Sequence, residues 1–579
     1  MYLGIVDDVK WERVFLNISG HMFEKTKEEE EELFRIRRQR FSHKEVREDA
    51  DERRELRYQE NVERLKKIIG PSYDPEVPYF FLRTKGYLQA YLLEPEFDLE
   101  GGFHIRFNVT NFRNREIIPE GTFEISIFHG GTDFSMRATT DIAKHILDLT
   151  MPFMFNKNSE CYIAGIAVGT NEADPIFKVK SYLLERERNR KFNIKCIIRE
   201  ARDKTIKWCI RRYYDVLHNL VPHNGKRILF ATEARGTLQG NLEAIRNGMV
   251  ARGLDKDYKF YYSFRKAAGE HSSALSWLKV MTLVAICDVI MIDDYAPFLN
   301  WLKIGRKTKL IQVWHAGVGF KSVGFCRFGL NGTPKLDTAH RQYDYAITGS
   351  RNLQKIYSEV FGIEEEAIIP TGLPRIDALL DEKAHEDFVK GFYEEHPDLK
   401  DKKIILFAPT FRGMGQKTAH YPYEYLDYQR IYDFCGDEYV FLLKMHPFLV
   451  DVPEIPPALS DRIRDYSSFP NINDLLRVTD LLITDYSSVI YEYALFRRPM
   501  LFFAFDKDEY STIRGFQSDY DTFAPGKICT TFDEMEEAIL NKDFEVEKVD
   551  KFVDENFDYL DSHSTDRFID WLLTGKMPE

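Results

Sequence analysis

Two histidines, three basic side chains and a pair of serines each follow a short apolar run in this chain. The run 310–313 leads into Trp314-His315-Ala316-Gly317-Val318-Gly319, which sets a histidine and a glycine-rich turn containing Gly317 at its end. The run 440–443 leads into Lys444-Met445-His446-Pro447, 404–408 ends in Pro409-Thr410-Phe411-Arg412, and 368–371 ends in Gly372-Leu373-Pro374-Arg375. A fifth run closes on Thr484 and is followed by Asp485-Tyr486-Ser487-Ser488. A neutral histidine can take the proton of an attacking hydroxyl, its ordinary pKa lying at ~6.5. Arginine, lysine and the N-termini of helices can hold a diphosphate and stabilise the charge that builds on it. The chemistry that suits this set is transfer at phosphorus or at a sugar carbon. Ser487 and Ser488 read either as hydroxyl donors to a phosphate or as helix caps, and Asp485 either orients a donor or fixes the turn. A lone histidine or arginine after a strand is commonly structural. The recurrence of such residues at equivalent positions is what points to one site.

Those positions require strands and helices in alternation. Residues 481–484 form a strand buried on both faces, 489–496 a helix and 500–505 the next strand, a βαβ unit with the serines where strand gives way to helix. From residue 226 the same alternation recurs twice, predicting two parallel sheets wound by helices, with ligands at the carboxyl ends of the strands. The expected fold class is α/β: two facing Rossmann-like domains, an N-terminal helical extension and a small all-β domain. The extension covers 1–75, because 24–68 is dense in mixed charge. Short β-branched and aromatic runs bounded by Gly, Pro and Asn place an all-β accessory domain at 76–185. A basic amphipathic linker follows at 186–225, then the first Rossmann-like domain at 226–385 and the second at 386–579. Within 186–212 there are eleven Lys or Arg against three Asp or Glu. Such a segment either lies on an anionic membrane surface or is a linker helix packed on its neighbours.

The chain has 579 residues, 44% of them hydrophobic, and a formal net charge of −13. The size suffices for two or three cores, and the acidity argues against nucleic acid as the main partner. The seven cysteines are scattered without zinc spacing, so no metal site is expected. Asp-x-Asp triples are discounted in so acidic a chain, no cofactor is called for, and the lack of a P-loop pattern removes ATP hydrolysis. Neither a secretory signal nor a membrane span is read, so a cytoplasmic protein is expected, its work at a membrane peripheral, on the inner face.

The runs QVWHAGVGFKSVGF (312–325), PTGLPRID (370–377), ILFAPTFRG (405–413), LLKMHPF (442–448), INDLLRVTDLLITDYSSVIYEYA (472–494) and RGFQSDYDTFAPGKI (514–528) resemble the bacterial CDP-glycerol glycerophosphotransferases. These are the primases and polymerases of teichoic-acid-like polymers. The resemblance covers roughly 226–540 and implies the GT-B architecture. It implies His315 as the base toward an acceptor hydroxyl and His446 beside the diphosphate. Ser487 and Ser488 are the implied donors to phosphate, and Arg412 and Arg514 the basic positions facing the same group. Gly317, Arg375, Lys444, Thr484 and Asp485 complete the expected substrate-binding set. This chain reads W-H-A-G where many family polymerases read W-H-G-T, which leaves the histidine intact. The expected reaction is transfer of glycerol phosphate from CDP-glycerol to a hydroxyl of a lipid-linked or polymer acceptor, with release of CMP. CDP-ribitol or a nucleotide sugar is the alternative donor, and a non-catalytic assembly subunit is the rival from another class. Acceptor choice is expected to reside in residues 1–225, where no family motif is found.

Overall fold

The computed structural model describes residues 2–24, 48–84, 87–98, 101–113, 115–139, 141–142, 149, 151–155, 160–168, 175–185, 194–265, 274–327, 338–413, 418–451 and 453–578. Side chains at 48–57, 152–155, 160–163, 183–185, 194–201, 203, 274, 509 and 512–514 are excepted. Two compact units divide the chain: residues 1–190 with 325–336, and residues 191–324 with 337–579.

The first unit corrects the helical reading of its beginning. Tyr2–Glu12 and Phe15–Glu24 are strands paired antiparallel, joined at Arg13 in a left-handed conformation with φ 54°. The reason is visible in the burial pattern: Val6, Val9, Leu16 and Ile18 point into the core, while Asp7, Asp8 and Lys10 point out, the period of two of a half-buried strand, interrupted by a register shift between Val6 and Asp8. The charge further on obscured it. Helix does occur at Glu48–Ile69, where Val62, Leu65 and Ile69 pack on Phe81 and Phe128; residues 25–47 lie outside the described residues. The hairpin pairs with Gly102–Asn108 in a five-stranded sheet. A second sheet contains Tyr79–Thr84, Gly121–His129, Glu160–Val168 and Phe177–Glu185. Both sheets contribute to one core, Ile18, Phe103 and Ile105 from the first, Phe80, Ile125 and Ile127 from the second.

The second unit begins with the helix Ile194–Leu220. It runs against the helix Ala274–Ile286, Tyr213 and Thr282 sharing a hydroxyl hydrogen bond of 2.8 Å, and Tyr214 Oη accepts from the Gly305 N–H at 2.9 Å. The segment expected as a linker is therefore part of the first α/β domain from residue 194 on, and 186–193 lie outside the described residues. That domain has six parallel strands in the order Lys259–Phe264, Arg227–Thr232, Val289–Ile292, Lys309–Gln312, Tyr345–Ile347, Ile368–Ile369. The second domain has six in the order Ile463–Asp465, Tyr439–Leu443, Lys403–Phe407, Leu481–Thr484, Met500–Phe503, Lys527–Cys529. By sequence this is 3-2-1-4-5-6, the Rossmann order, with its switch point between Lys403–Phe407 and Leu481–Thr484.

The boundary between these domains is not a single joint at 385. Glu382–Glu395 is a helix capped by Asp381, and its Phe392 is buried with Leu406, Leu442 and Leu482 of the second domain. The last helix, Ser564–Thr574, returns to the first domain and buries Phe568, Ile569 and Trp571 beside Ile228, Phe230 and Met249. An amphipathic pattern states that a helix has an inner face and not which core receives it.

Candidate functional site

The turn that carries His315 is held from three sides. Trp314 has φ 49°, a region costly for a bulky residue. Its N–H donates to Gln312 Oε1 at 2.9 Å, and the buried Asn241 Nδ2 donates to the carbonyls of Val313 and Trp314 at 2.8 and 3.0 Å. Asn241 Oδ1 accepts from the Arg375 N–H at 2.9 Å, tying the W-H turn to the L-P-R turn. His315 is thereby set with Nδ1 3.0 Å from the Asp293 carbonyl oxygen. A carbonyl only accepts, so Nδ1 carries the proton and Nε2 is left as the acceptor. The Asp294 carboxylate lies 4.0 Å from Nδ1, and the His315 side chain is 34% exposed.

His446 has the opposite arrangement. Its Nδ1 accepts the Phe448 N–H at 3.1 Å, so in the neutral ring the proton sits on Nε2, which becomes a donor. Phe411 and Phe448 flank the ring at centroid distances of 4.7 and 4.8 Å. Burial, then the cations Lys321 and Lys444, push its pKa down to about 4. In their neutral forms the first ring thus presents an acceptor nitrogen and the second a donor N–H.

The switch point of the second sheet is organised by Asp485, which is fully buried. Its Oδ1 accepts the Thr410 N–H at 2.7 Å and its Oδ2 accepts Arg412 Nη1 at 2.7 Å. Arg412 also forks onto Asp506, with Nε to Oδ2 at 2.5 Å and Nη2 to Oδ1 at 2.8 Å, and Nη1 donates to the Thr410 carbonyl at 2.6 Å. Burial works against its charge and the two carboxylates more than offset that, raising its pKa. Arg412 was expected to face substrate; four of its five N–H groups are turned instead onto Asp485, Asp506 and the Thr410 carbonyl. Thr484 is turned inward as well, its hydroxyl donating to the Ala408 carbonyl at 2.8 Å. Lys444 Nζ donates to the Ser467 carbonyl at 2.7 Å, and burial lowers its pKa.

Ser487 and Ser488 sit partly exposed just beyond Asp485. Ser487 Oγ accepts the Val489 N–H at 3.4 Å, while Ser488, the residue before the helix Val489–Ala494, makes no side-chain cap bond. The cap reading thus fits Ser487 weakly and Ser488 not at all. The helix is six residues long, so its dipole adds little and the hydroxyls and turn N–H groups dominate. Arg375 donates from Nη2 to Glu492 Oε1. Glu492 is buried, which raises its pKa against the pull of Arg375 and, more weakly, of His315. Gly317 is required by packing: a Cβ there would lie 2.4 Å from the Tyr491 ring. Tyr491 Oη donates to the Val318 carbonyl at 3.0 Å, so the His315 loop rests on the helix that follows the serines. The side chain of Arg514 lies outside the described residues.

Asn241, Gln312, Lys321, Glu492, Tyr491 and Asp506 were not singled out from the sequence. Gln312, Lys321, Tyr491 and Glu492 lie inside motif runs quoted above and could have been. The partner of His315 is a main-chain carbonyl, which leaves no mark in a sequence.

Two Rossmann-type sheets in one unit, with polar side chains beyond the strand ends of both, give the GT-B architecture. The structure of the wall teichoic acid polymerase TagF has the same fold: 22% identity, TM-score 0.52, covering 66% of this chain and 98% of that one. Residues 213–574 match the model of the family described as CDP-Glycerol:Poly(glycerophosphate) glycerophosphotransferase. The teichoic acid ribitol-phosphate polymerase TarL of Staphylococcus aureus is 33% identical across 97% of this chain and 98% of its own length. The teichoic acid poly(ribitol-phosphate) polymerase of Bacillus spizizenii is 44% identical over 62% of this chain and 58% of its own. The chain belongs to the CDP-glycerol:poly(glycerophosphate) glycerophosphotransferase family.

Proposed function

We propose that this protein transfers a polyol phosphate from a CDP-polyol to a hydroxyl of a lipid-linked or polymer acceptor in teichoic-acid-type polymer synthesis, releasing CMP. The observation that carries the reading is the opposed protonation of the two histidines. The acceptor hydroxyl gives its proton to His315 Nε2 as its oxygen attacks the β-phosphorus, the bond from that phosphorus to CMP breaks, and His446 Nε2–H donates to the phosphate oxygens. Ser487 and Ser488 supply further hydroxyl donors. Arg375, paired with Glu492, and Asp485, paired with Arg412, hold the two turns in place and do not touch the donor.

The donor polyol is ribitol in this proposal. The sequence put glycerol first and ribitol second, in keeping with the family's description. The two relatives, one of them matched end to end, carry ribitol-phosphate in their names and support the reverse order. The membrane side of the reading rests on the helix Ile194–Leu220, which exposes Trp208, Val216 and Leu220 beside Arg211 and Arg212. Leu275 and Leu278 on the helix packed against it are exposed too. Among the described residues no helix is long and apolar enough to cross a membrane, so binding would be to an anionic surface.

The test is CMP release by the purified chain with a lipid-linked acceptor, offered CDP-ribitol, CDP-glycerol and UDP-sugars in parallel. Turnover with CDP-ribitol, reduced about 10²- to 10⁴-fold in His315→Gln, is expected. A preference for CDP-glycerol would correct the donor, and UDP release would sink the reaction class.

A further inference from the structure

His315 can act as a base at Nε2 only while its own proton stays on Nδ1, and a neutral histidine left to itself favours the proton on Nε2. Which nitrogen carries it is set by the hydrogen bond that the other nitrogen or its own N–H makes. For His315 that bond runs from Nδ1 to the Asp293 carbonyl at 3.0 Å. Whatever holds this carbonyl still is therefore part of the base.

Asp293 and Asp294 directly follow the strand Val289–Ile292, and their carboxylates diverge. Asp294 stays partly exposed and its Oδ1 accepts the Tyr295 N–H at 2.6 Å. Its carbonyl accepts Gln312 Nε2 at 3.2 Å, the same side chain whose Oε1 holds the Trp314 N–H. The Asp293 side chain turns inward, 2% exposed, and its Oδ2 accepts Arg235 Nη1 at 3.1 Å. A carboxylate this deep is costly to keep without a cation. Without one it would turn out to water, and its own carbonyl would be carried off His315 with it.

Arg235 lies just beyond the strand Arg227–Thr232, which neighbours Val289–Ile292 in the sheet; Lys309–Gln312 lies on the other side. Glu233, two residues before Arg235, is buried too but has its own partner. Arg265 Nε donates to Glu233 Oε2 at 2.9 Å, and the Arg265 guanidinium lies 3.9 Å from the Trp277 ring centroid. The two ion pairs keep apart, and three successive strand ends are tied in one line: Arg235 to Asp293, and Asp293 to His315.

Resting on the proposed reaction, we infer that Arg235 and Asp293 are positioning residues: their ion pair fixes the carbonyl that keeps the proton on Nδ1 of His315 and so leaves Nε2 open to the acceptor hydroxyl. When Nε2 receives the acceptor proton, Nδ1–H remains on the carbonyl and the ring need not turn.

The experiment uses the full chain with Arg235→Met, Arg235→Lys and the double variant Arg235→Met/Asp293→Asn, which removes the tie without leaving a charge buried. CMP release from the preferred CDP-polyol is followed together with ¹⁵N spectra of the histidine rings, the His315 signals being identified by their loss in His315→Gln. Expected in Arg235→Met are a fall in kcat of about 10²-fold, a donor KM within about threefold of wild type, and a neutral His315 ring that shifts from the Nδ1–H toward the Nε2–H form. Arg235→Lys should regain part of the rate and of the Nδ1–H form. A merely structural pair would lower the melting temperature and leave the tautomer as it is. A fall in kcat with the tautomer unchanged therefore overturns the inference, and so does a kcat within about threefold of wild type. If Arg235→Met melts early, the double variant decides: wild-type melting with wild-type rate and tautomer would overturn it. A wild type that turns over with its neutral His315 in the Nε2–H form would overturn this role while the reaction class stands. A wild type silent with every donor would overturn the proposed reaction and this role with it.

Discussion

At the scale of single residues, the two histidines differ in what their Nδ1 atoms meet. His315 gives Nδ1–H to a carbonyl; His446 receives an N–H. The residue types were legible in the sequence and the resemblance implied different roles for them; the placement of the ring proton was not legible, because a backbone group decides each one. A prediction follows for His446. Glutamine can place an N–H near the position of Nε2, so His446→Gln should retain more of the donor affinity than His446→Ala. The alanine variant is expected to lose about 10²- to 10³-fold in kcat/KM, with donor KM rising in both. Equal loss in the two variants would show that the N–H is not what the site uses. The pH sense is also fixed. The folded-state pKa of about 4 lies below the ordinary 6.5, so the contribution of neutral His446 to stability is full above pH 6.5 and is lost as pH falls toward 4.

At the scale of elements, the inner strands of both sheets were readable, since runs such as 404–408 and 481–484 are apolar throughout and end in polar turns, whereas the edge strands Lys259–Phe264, Ile463–Asp465 and Lys527–Cys529 were not read. What could not be read was the direction in which the turn residues point. Arg412 and Thr484 share a neighbourhood with the serines, and only the fold shows them turned inward onto Asp485, Asp506 and a carbonyl. Gly317 was read as part of the substrate-binding set; the fold adds that the Tyr491 ring leaves no room for a Cβ there. The opening hairpin was missed because its period-two pattern adjoins a long charged stretch. Removal of Arg412 would leave two carboxylates, one of them fully buried, without their cation. Arg412→Met should therefore cost about 3–5 kcal/mol in urea denaturation. The double variant Arg412→Met/Asp485→Asn should recover part of it. Normal stability with weakened donor binding in Arg412→Met would return this residue to the substrate side.

At the scale of the molecule, the helix Ile194–Leu220 combines a packed face with an outward one. Tyr213 and Tyr214 fix it to the first domain, while Trp208, with the Arg212 guanidinium 5.8 Å from its ring centroid, faces away. The packed-helix reading of this segment holds for its inner side, and the outward side is the one on which the proposed membrane contact would rest. Arg211→Glu with Arg212→Glu should release the protein from vesicles rich in anionic lipid without lowering its melting temperature. Retention on such vesicles would place membrane contact elsewhere. The wild-type association should weaken as salt is raised.

The returning helix Ser564–Thr574 also orders events in time. Phe568, Ile569 and Trp571 complete a core whose first strand, Arg227–Thr232, is made much earlier. A chain emerging from the ribosome at ~5–20 residues per second folds its domains as units become available. The first domain has its whole sheet by Ile368–Ile369 but closes this core only with Trp571, after the second domain's core has received Phe552 and Phe557. The core beneath the His315 turn, to which Val313 belongs, is therefore completed later in synthesis than that of the second domain, although its strands are translated first.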